Sequence, residues 1–440
     1  MQELIMKKYS EQDLFRDQMN IIFSKPFREL QYKSQMFPLR NTSSEHNRLI
    51  HSLEVAQIGR CIAQKILKHE TSQDMIVDDS QVFLEAIVAG CLCHDIGIPP
   101  FGHIGESSIR AWFREKGMDY VKSAVNKPSP LLLDYMRDFE YFDGNAQGFR
   151  VLTRYLPISS LGKGISSLTL MAYLKYVGSP QQIEVKNKLY KKPGYFFTER
   201  EIAKEIFMEF ELENRRHPYS YIIEISDDLA YIFSDLEDGI SHRYITMDHF
   251  FSYLMKNKNV EQRGIDYLLS EKVNDFTKFK LNFLNNVTDH VASNYVHRYQ
   301  NIILRGDNSL LEYNFFYPLL KAIKEYVSFF LYRVSEKIES DLAGYKAIHV
   351  LLDMFGRLLK LDRISFYALL EGSMSYDNIY QQGLDNDFKT IALLTPEWVQ
   401  VYKQSLDRVS EDSEEWFLRA HLIVDTITSL SNYRLLQIAQ

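Results

Sequence analysis

The stretch CLCHDIGIPPFGHIGES, residues 91–107, joins the end of an apolar helix to a turn and a second helix start. His94 and Asp95 stand side by side where the apolar run ends, and His103 and Glu106 follow after a glycine and two prolines that break the helix. Imidazole and carboxylate groups cost free energy in an apolar setting unless something binds them. The stretch therefore predicts a buried helix that delivers polar side chains to a metal ion.

The chain around this stretch has the periodicity of helices. Residues 45–70 repeat apolar side chains at helical spacing with charges between them. The next helix, with Ser80 as its predicted N-cap, is apolar nearly all round and is expected to stop at Gly97 and to lie in the core. Further helical patterns are GESSIRAWFREKG, NAQGFRVLTRYL, EREIAKEIFMEFELENRR, YIIEISDDLAYIFSDLEDGI and the run 317–361. Strands are scarce, and only KLYKKPGYFFT is typical of a short hairpin or turn. We therefore expect an all-α fold.

Composition excludes several classes of protein. A chain of 440 residues with 45% hydrophobic and 13% aromatic content can bury a large core. Three cysteines are too few for a disulfide framework, and no window approaches the roughly 18 apolar residues of a membrane span. The N-terminus lacks a basic region followed by a long apolar run, so it is not a secretory signal. These features predict a cytoplasmic protein with no membrane partner.

Net charge and linker composition give less information about the domains of the chain. The net charge of −7 gives no general attraction to nucleic acid, so an anionic ligand needs local cations or bound metal. No repeat and no Pro-rich or Gly/Ser-rich linker marks a domain boundary. We place the chemistry in a catalytic core, 1–260, and expect 261–440 to be a helical region that packs on the core and forms subunit contacts.

Ligand-type side chains come from three separated segments of the chain. They are His51 in RLIHSLEVA, the His94–Asp95 pair, and Asp227 in EISDDLAY. Two imidazoles and two carboxylates suit a divalent metal, with positions left open for water and substrate. Each residue by itself is more often a core histidine or a helix cap, but the joint pattern favours a metal site.

A competing interpretation uses Cys91, Cys93 and His94 as zinc ligands. On a helix, the two cysteines point about 200° apart and cannot chelate one ion. We therefore favour the histidine and aspartate set.

Four motifs, in this order, resemble a known family: RLIHSLEVAQIGR, HDIGIPPFGHIGE, FDGNAQGFRVLTR and SDDLAYIFSDLEDGI. They look like the deoxyguanosinetriphosphate triphosphohydrolase family of the HD-domain superfamily, and the likeness extends from FRELQYKSQMFPL to IVDTITSLSNYRL. It implies an HD-domain helical core with additional C-terminal helices. It also implies metal-dependent hydrolysis of a deoxynucleoside triphosphate (dNTP), with dGTP favoured, to deoxynucleoside and inorganic triphosphate.

The resemblance assigns roles by motif position. The implied metal ligands are His51, His94, Asp95 and Asp227. Mn²⁺ or Mg²⁺ is the favoured ion, and Fe²⁺, Zn²⁺ or Co²⁺ also suits such ligands. The implied catalytic pair is His103 with Glu106; three residues apart on a helix they share a face, so the carboxylate can orient the imidazole. We expect His103 to protonate the departing 5′ oxygen, the alternative being a structural pair at a helix start.

A second spacing argument concerns Asp227, Tyr231 and Asp235. Spaced i, i+4 and i+8, they fall within about 80° of arc on one helix face. The resemblance implies that Tyr231 packs against the sugar where a 2′ hydroxyl would sit and that Asp235 accepts the 3′ hydroxyl. The alternative interpretation of Tyr231 is a core aromatic residue.

Other residues match positions that the resembled family uses on substrate. Those implied to contact phosphate oxygens are Arg48, Lys175, Tyr176 and Lys192, and those implied to lie near the nucleoside are Gln31 and Gln35. Basic residues on a helix often only solvate a surface, and the amides could cap a turn. One departure is Ile98, which stands where many relatives have a polar residue and can neither ligate nor hydrogen-bond.

Two rival functions remain open from the residues alone. One is an HD-domain phosphohydrolase acting on a monophosphate or signalling nucleotide, which gives no reason for Tyr231, Asp235 and DGNAQGFR. The other is a catalytically impaired regulator that binds nucleotide or nucleic acid. The resemblance implies a homo-oligomer, hexamer or dimer, and weak single-stranded DNA binding is a further expectation that the acidic balance disfavours as a main role.

Overall fold

A computed structural model of the chain provides the structure. It describes residues 9–37, 46–69, 79–125, 129–159, 164–212, 215–270, 275–305, 310, 316–407, 409 and 411–440. These residues are mainly α-helical, and within them the only β-type pairing is an isolated antiparallel bridge between Ser34 and Asn47. The predicted all-α fold is confirmed.

The helices of the first part of the chain lead to the segments that carry the motifs. They are α1 (Glu11–Ile22), α2 (Lys25–Glu29), α3 (Arg48–Leu67), α4 (Ser80–Cys93), α5 (His103–Trp112), α6 (Met118–Ala124), α7 (Leu132–Glu140), α8 (Gly144–Arg150), α9 (Leu156–Ser159), α10 (Ser167–Tyr173), α11 (Arg200–Glu209) and α12 (Pro218–Ser241).

The remaining helices follow without a strand between them in the described residues. They are α13 (Met247–Lys256), α14 (Gln262–Ser270), α15 (Phe276–Arg305), α16 (Tyr317–Phe330), α17 (Ser335–Gly356), α18 (Arg363–Leu370), α19 (Tyr376–Gln381), α20 (Asp385–Ile391), α21 (Pro396–Leu406), α22 (Asp412–Thr428) and α23 (Asn432–Ala439). Short 3-10 turns lie at Leu30–Tyr32, Pro180–Gln182, Phe197–Glu199 and Arg357–Lys360, and π-helical turns at Phe113–Gly117 and Val151–Tyr155.

Helix α3 corresponds to the first helix that the sequence predicts. Asn47 caps it, because its side-chain oxygen accepts a hydrogen bond from the backbone N–H of Ile50 at 3.0 Å. The predicted limits, residues 45 and 70, lie outside the described residues. The face of α3 that includes His51 and Val55 is buried.

Helix α4 is buried nearly all round, as predicted, but its start differs by one residue. Asp79 is the N-cap: its carboxylate accepts hydrogen bonds from the N–H groups of Gln81 and Val82 at 2.9 and 3.3 Å. The prediction of Ser80 as N-cap is therefore wrong, because the extended backbone and the stronger acceptor both belong to Asp79. The helix ends at Cys93, and turns continue to Gly97.

Helix α12 confirms the helical interpretation of its motif. His217 caps it, a proline occupies its first position, and most of its residues are buried. The segment KLYKKPGYFFT forms turns and enters the 3-10 turn at Phe197–Glu199, with no strand among its residues. The aromatic side chains that suggested a hairpin instead pack against rings far away in the chain: Phe196 contacts Phe142 and His421, and Tyr195 contacts Phe149.

The chain divides into two compact units. The first comprises the described residues within Met1–Asp95, Ile165–Lys175 and Glu205–Ser340, and the second those within Ile96–Gly164, Tyr176–Lys204 and Asp341–Gln440. In the first, α3 and α12 pack on α4 and on each other; in the second, α22 packs on α7 and α21. The division into 1–260 and 261–440 stays a prediction.

A buried ionic cluster organises the second unit. Arg150, from the FDGNAQGFR motif, contacts Glu199 at 2.8 Å and Asp425 at 3.0 Å, and Gln147 donates to the same Asp425 at 2.8 Å. All four side chains are almost fully buried, so removal of one partner would leave an uncompensated buried charge or polar group. The motif therefore has a packing role in α8 and α22.

No helix within the described residues is both long enough and apolar enough to cross a membrane.

Candidate metal centre and active site

Three ligand-type side chains meet in the first unit, one from each of three helices. His51 comes from α3, His94 caps the C-terminus of α4, and Asp227 lies in α12. Nε2 of His51 is 3.2 Å and Nε2 of His94 is 3.7 Å from Oδ1 of Asp227. Throughout the described part of the chain, no other group of three histidine, cysteine or acidic side chains is compact enough to hold a metal ion.

The three helices approach closely because α3 carries Gly59 where they meet. A Cβ atom at this position would lie 2.6 Å from Sγ of Cys91 in α4 and 3.3 Å from Oγ of Ser226 in α12. The first distance is too short for packed atoms, so a larger residue would push α3 away from α4. The close approach brings His51 next to the ligands from the other helices.

His94 is oriented to bind a divalent cation. Nδ1 of His94 lies 2.7 Å from the carbonyl oxygen of Cys91, and because a carbonyl only accepts, Nδ1 carries the proton. Nε2 of His94 therefore presents a lone pair, and this buried atom makes no hydrogen bond within the described residues. A buried acceptor beside the carboxylate of Asp227 is the arrangement that a metal ion satisfies. The cysteines of the rejected zinc interpretation do not belong to this group.

The electrostatics of Asp227 also suit a ligand. Burial opposes ionisation of its carboxyl group, but the hydrogen bond with His51 and the positive charge of Lys175 outweigh burial and hold its pKa well below the usual range. The carboxylate is therefore ionised at neutral pH, which is the form that binds cations.

The fourth predicted ligand, Asp95, lies at the edge of this group. Its Oδ1 is 3.8 Å from Nε2 of His94, and its Oδ2 accepts a hydrogen bond from Arg48 at 2.8 Å. Burial would raise the pKa of Asp95, but the positive charge of Arg48 lowers it overall. Arg48, which is predicted to contact phosphate, lies one turn before His51 on α3, and its guanidinium binds Asp95.

His103 and Glu106 form the predicted pair at the start of α5, in the second unit. Nδ1 of His103 is 2.9 Å from Oε2 of Glu106, whose Oε1 accepts from the N–H of Gly144 at 2.8 Å. Burial works against ionisation of Glu106, but His103, Lys192 and that N–H lower its pKa to about 2. The imidazole of His103 is 78% exposed, while the carboxylate of Glu106 is buried. The ring is therefore held by a buried partner and remains accessible to solvent. Ile98 is buried, and its apolar side chain lies beside Gly144.

The turn before His103 has a strained backbone that the second unit supports. Gly97 has φ +95°, and a Cβ there would lie 2.1 Å from the backbone nitrogen of Gly148. Phe101 has φ +61°, which is costly for a residue with a side chain, and its N–H donates to Oδ1 of Asn432 in α23 at 3.0 Å. These contacts determine the direction in which α5 starts.

On α12, Tyr231 and Asp235 lie one and two turns beyond Asp227, as predicted. The hydroxyl of Tyr332 is 2.6 Å from the hydroxyl of Tyr231 and 2.6 Å from Oδ2 of Asp235. Burial raises the pKa of Asp235 to about 7, partly offset by the hydrogen bond from Tyr332. Tyr231 is 40% exposed, so its ring is accessible to a ligand and is not a core aromatic residue.

The predicted phosphate-binding cations each face a carboxylate. Nζ of Lys175 is 3.4 Å from Oε1 of Glu224 in the first unit, and Nζ of Lys192 is 2.8 Å from Oδ2 of Asp143 in the second. Burial would lower the pKa of Lys192, but Asp143 raises it overall, so this side chain stays charged. Tyr176 is buried in the second unit.

The two predicted amides differ in surroundings. Gln31 is exposed at the short 3-10 turn that follows α2. Gln35 has both side-chain polar atoms buried with no hydrogen-bond partner in the described residues. A buried amide of this kind is available to a ligand.

Most of the predicted site residues belong to the first unit. These are Gln31, Gln35, Arg48, His51, His94, Asp95, Lys175, Asp227, Tyr231 and Asp235. His103, Glu106, Tyr176 and Lys192 belong to the second unit.

Sequence reasoning missed two residues of the first unit. Tyr332 contacts Tyr231 and Asp235, although residues 261–440 were expected only to pack on the core and to form subunit contacts. No local pattern signals a partner about a hundred residues away. Glu224, by contrast, lies one turn before Asp227 in the same motif, and its spacing could have been recognised.

A helical core with such a histidine and aspartate group defines a class of protein. The sequence profile described as "HD domain" matches residues 48–132, which include three of the four predicted ligands, so the chain is an HD-domain protein.

Comparison with curated relatives narrows the class. The chain is 30% identical to a deoxyguanosinetriphosphate triphosphohydrolase-like protein of Synechocystis sp. over 80% of this chain and 82% of the relative. It is 27% identical to a protein of the same description from Listeria monocytogenes, over 94% and 90% of the two chains, and 26% identical to a deoxyguanosinetriphosphate triphosphohydrolase of Enterobacter sp., over 96% and 93%. The chain belongs to the deoxyguanosinetriphosphate triphosphohydrolase-like family, and the predicted family is confirmed.

Proposed function

We propose that the protein hydrolyses deoxynucleoside triphosphates, dGTP in preference, to deoxynucleoside and inorganic triphosphate in a reaction that depends on a divalent metal. The observation that carries the proposal is the alignment on α12 of a metal-type carboxylate, Asp227, with Tyr231 and Asp235 at one-turn intervals. Metal, sugar face and sugar hydroxyl can then be held in a line by one rigid element. The names of the Enterobacter and Synechocystis relatives agree with this activity.

The metal ligands in this proposal are His51, His94, Asp227 and Asp95. A bound divalent ion supplies Lewis acidity and lowers the pKa of a water molecule. Mn²⁺ or Mg²⁺ is the ion we favour, and Fe²⁺, Zn²⁺ or Co²⁺ also suits two imidazoles and two carboxylates. With substrate bound, Arg48 would leave the carboxylate of Asp95 and bind a phosphate oxygen, and Asp95 would complete the ligand set. The charges of Arg48 and Asp95 would then both stay compensated.

The chain's own residues would hold the substrate. Arg48, Lys175, Tyr176 and Lys192 are the proposed phosphate contacts. Gln31 and Gln35 are proposed to face the nucleoside, and the buried amide of Gln35 supports this assignment. Tyr231 would cover the sugar where a 2′ hydroxyl would lie, and Asp235 would accept the 3′ hydroxyl in place of the hydroxyl of Tyr332.

The proposed chemistry breaks the bond between the α-phosphorus and the 5′ oxygen. Water adds its oxygen to the α-phosphorus and releases a proton to solvent, while the 5′ oxygen leaves with the bonding electrons. His103 gives that oxygen a proton and is then reprotonated from solvent. The buried, ionised Glu106 supports this role because it binds Nδ1 of the imidazole and so orients the ring. The products are the deoxynucleoside and inorganic triphosphate.

Assembly and location complete the proposal. We propose a homo-oligomer, hexamer or dimer, in the cytoplasm, with single-stranded DNA binding no more than weak because the net charge is −7. Sedimentation velocity at several protein concentrations measures the first of these properties. A monomer at every concentration would contradict it.

The decisive experiment incubates the protein with each of the four dNTPs and Mn²⁺ and identifies the phosphate product by ion chromatography. We expect inorganic triphosphate, with the fastest release from dGTP. Orthophosphate or pyrophosphate would instead indicate a phosphohydrolase that acts elsewhere on a nucleotide. Four intact dNTPs, together with a gel shift on nucleic acid, would indicate a binding regulator.

A further inference from the structure

A buried arginine lies directly before α12, the helix that carries Asp227. Nη1 of Arg216 donates to Oε2 of Glu224 at 2.7 Å, while its Nε and Nη2 donate to the hydroxyl and carbonyl oxygens of Ser220, each at 3.0 Å. Its guanidinium also lies 4.3 Å from the ring centre of Tyr221. Because all of these partners lie within the first two turns of α12, the guanidinium is a rigid anchor on that helix.

Glu224 connects this anchor to a predicted phosphate ligand. One carboxylate oxygen binds Arg216, and the other, Oε1, lies 3.4 Å from Nζ of Lys175. Burial would raise the pKa of Glu224, but the charges of Arg216 and Lys175 lower it to about 2, so the carboxylate is ionised between two cations. Lys175 follows α10 by two residues and has no helix of its own to orient it.

The position of Glu224 on α12 directs Lys175 toward the metal group. Glu224 and Asp227 are three residues apart, so they share a helix face. Because Glu224 lies 3.4 Å from Nζ of Lys175, the ammonium group is held at the face of α12 that also carries Asp227.

We infer that Glu224, fixed by Arg216, is a positioning residue that holds Lys175 in place to bind the triphosphate of the substrate. The inference rests on the proposed function, because it assumes that Lys175 contacts phosphate. Glu224 itself touches no substrate. A flexible lysine must lose side-chain entropy to bind an anion, and an anchor that removes this freedom in advance strengthens binding.

The sign of the effect separates this role from simple electrostatics. Glu224→Gln removes a negative charge near the triphosphate site, which by itself would strengthen binding of an anion. Loss of the anchor for Lys175 would weaken it. The inference therefore predicts weaker binding in a variant from which a repulsive charge has been removed.

The test measures binding of inorganic triphosphate to the Mn²⁺-loaded protein by calorimetry, beside kcat and KM for dGTP. In Glu224→Gln we expect the Kd for triphosphate and the KM to rise together by about 10-fold, roughly the worth of one hydrogen bond to a charged group, with a much smaller change in kcat. In a Lys175→Met background, Glu224→Gln should have no further weakening effect, because the residue acts through Lys175.

The matched control is Glu237→Gln, the same change on the same helix, where the carboxylate binds Lys280 at 3.0 Å. It should leave Kd and KM unchanged. If Glu224→Gln fails to fold, Glu224→Asp replaces it, since aspartate keeps the charge near Arg216 but is one methylene too short to hold both cations. The same 10-fold weakening is then expected.

Unchanged or tighter binding in Glu224→Gln, or equal weakening in the Lys175→Met background, would overturn the inference. If the native protein binds triphosphate but hydrolyses no dNTP, the proposed function is contradicted. The effect of Glu224→Gln on triphosphate binding then still tests the role of Glu224. A native protein that binds no triphosphate at all would overturn both.

Discussion

The two ring nitrogens of His94 have different tasks. Nδ1 donates to the carbonyl oxygen of Cys91, one turn back in α4, and this bond directs Nε2 toward Asp227. An imidazole oriented in this way keeps its lone pair in place without a metal, so little order has to be imposed when an ion binds. His94 and Asp227 are therefore the ligands whose removal should have the clearest effect.

We expect His94→Ala and Asp227→Ala each to lose bound metal and all turnover, because each removes a ligand from a site with few to spare. Metal content after dialysis against Mn²⁺, measured by plasma mass spectrometry, checks this. His249→Ala is the matched control, since His249 binds the hydroxyl of Tyr326 outside the metal group and should leave metal content unchanged. Full metal occupancy in the first two variants would show that the ion binds elsewhere.

His103 differs from the ligands because it is exposed and its partner is buried. The carboxylate of Glu106 is bound by the N–H of Gly144 on one oxygen and by the imidazole on the other. Such a ring can exchange a proton at Nε2 while its orientation is maintained.

We expect His103→Ala to retain metal and dNTP binding but to lose roughly 10²- to 10⁴-fold in kcat, the usual worth of a positioned acid. Glu106→Gln should lose less, because it removes the charge partner and leaves the imidazole. Single-turnover hydrolysis of dGTP with saturating Mn²⁺, beside nucleotide affinity, separates chemistry from binding. A near-native rate in His103→Ala would assign the residue to the structural pair at a helix start.

At the scale of the element, α12 combines several functions through its period. Glu224, Asp227, Tyr231 and Asp235 follow one another at intervals of three or four residues, so they form one line along the helix. Tyr332 joins this line at its far end through hydrogen bonds to Tyr231 and Asp235. A rigid helix keeps these spacings without any contribution from loops.

We expect Tyr231→Ala to reduce discrimination between dGTP and GTP by about 10-fold or more, because the ring would no longer exclude a 2′ hydroxyl. Tyr231→Phe keeps the ring and should retain most of the discrimination. The ratio of kcat/KM values for the two nucleotides is the measurement, with metal content determined in parallel. If the ratio stays constant in Tyr231→Ala while metal is lost, Tyr231 serves packing instead.

The turn between α4 and α5 depends on a glycine for two reasons. Gly97 has a positive φ, and its Cα lies so close to the backbone of Gly148 in α8 that no side chain fits. The turn can therefore lead into the prolines and α5 only with glycine at this position.

We expect Gly97→Ala to destabilise the protein far more than Gly372→Ala. Gly372 also has a positive φ, +64°, but a Cβ there would meet no atom within 4 Å, so its substitution should cost only the roughly 1–2 kcal/mol of a left-handed backbone. Urea unfolding of the two variants isolates the clash in Gly97→Ala as the difference. Equal losses of stability would mean that α8 moves aside at little cost.

At the scale of the whole molecule, stability should depend on acidic pH. Glu106 and Glu224 each have their pKa lowered from 4.5 to about 2, the first by the hydrogen bond from His103 and the second by the charge of Arg216, both against the effect of burial. Because the folded state binds these protons less readily than the unfolded state, the stabilisation is complete above the unfolded pKa and is lost as the pH falls toward the folded pKa.

We therefore expect the free energy of unfolding to decrease between pH 5 and pH 2, and to decrease less steeply in the double variant Glu106→Gln/Glu224→Gln. Chemical unfolding of the metal-free protein at intervals of half a pH unit measures the slope. An unchanged slope in the double variant would show that other carboxylates cause the acid sensitivity.

The amino-acid sequence by itself determined the helical class, the four motifs and the side chains able to bind metal. Apolar periodicity predicts α3, α4 and α12 because burial of one helix face is a local property of the chain, and the spacing of Asp227, Tyr231 and Asp235 follows from the helix repeat alone. Local reasoning erred at a cap position, with Ser80 in place of Asp79, because neighbouring residues compete for the same N–H groups.

Only the tertiary structure decided which distant side chains meet. It joins Tyr332 to Asp235, Arg48 to Asp95 and Lys175 to Glu224, three contacts between residues that are far apart in the chain. It also brings His51, His94 and Asp227 within the reach of one ion, which depends on the small volume of Gly59 between three helices. Apolar periodicity shows which face of a helix is buried. The partner of that face depends on how all the helices pack at once, and the information for this packing is distributed over the whole chain.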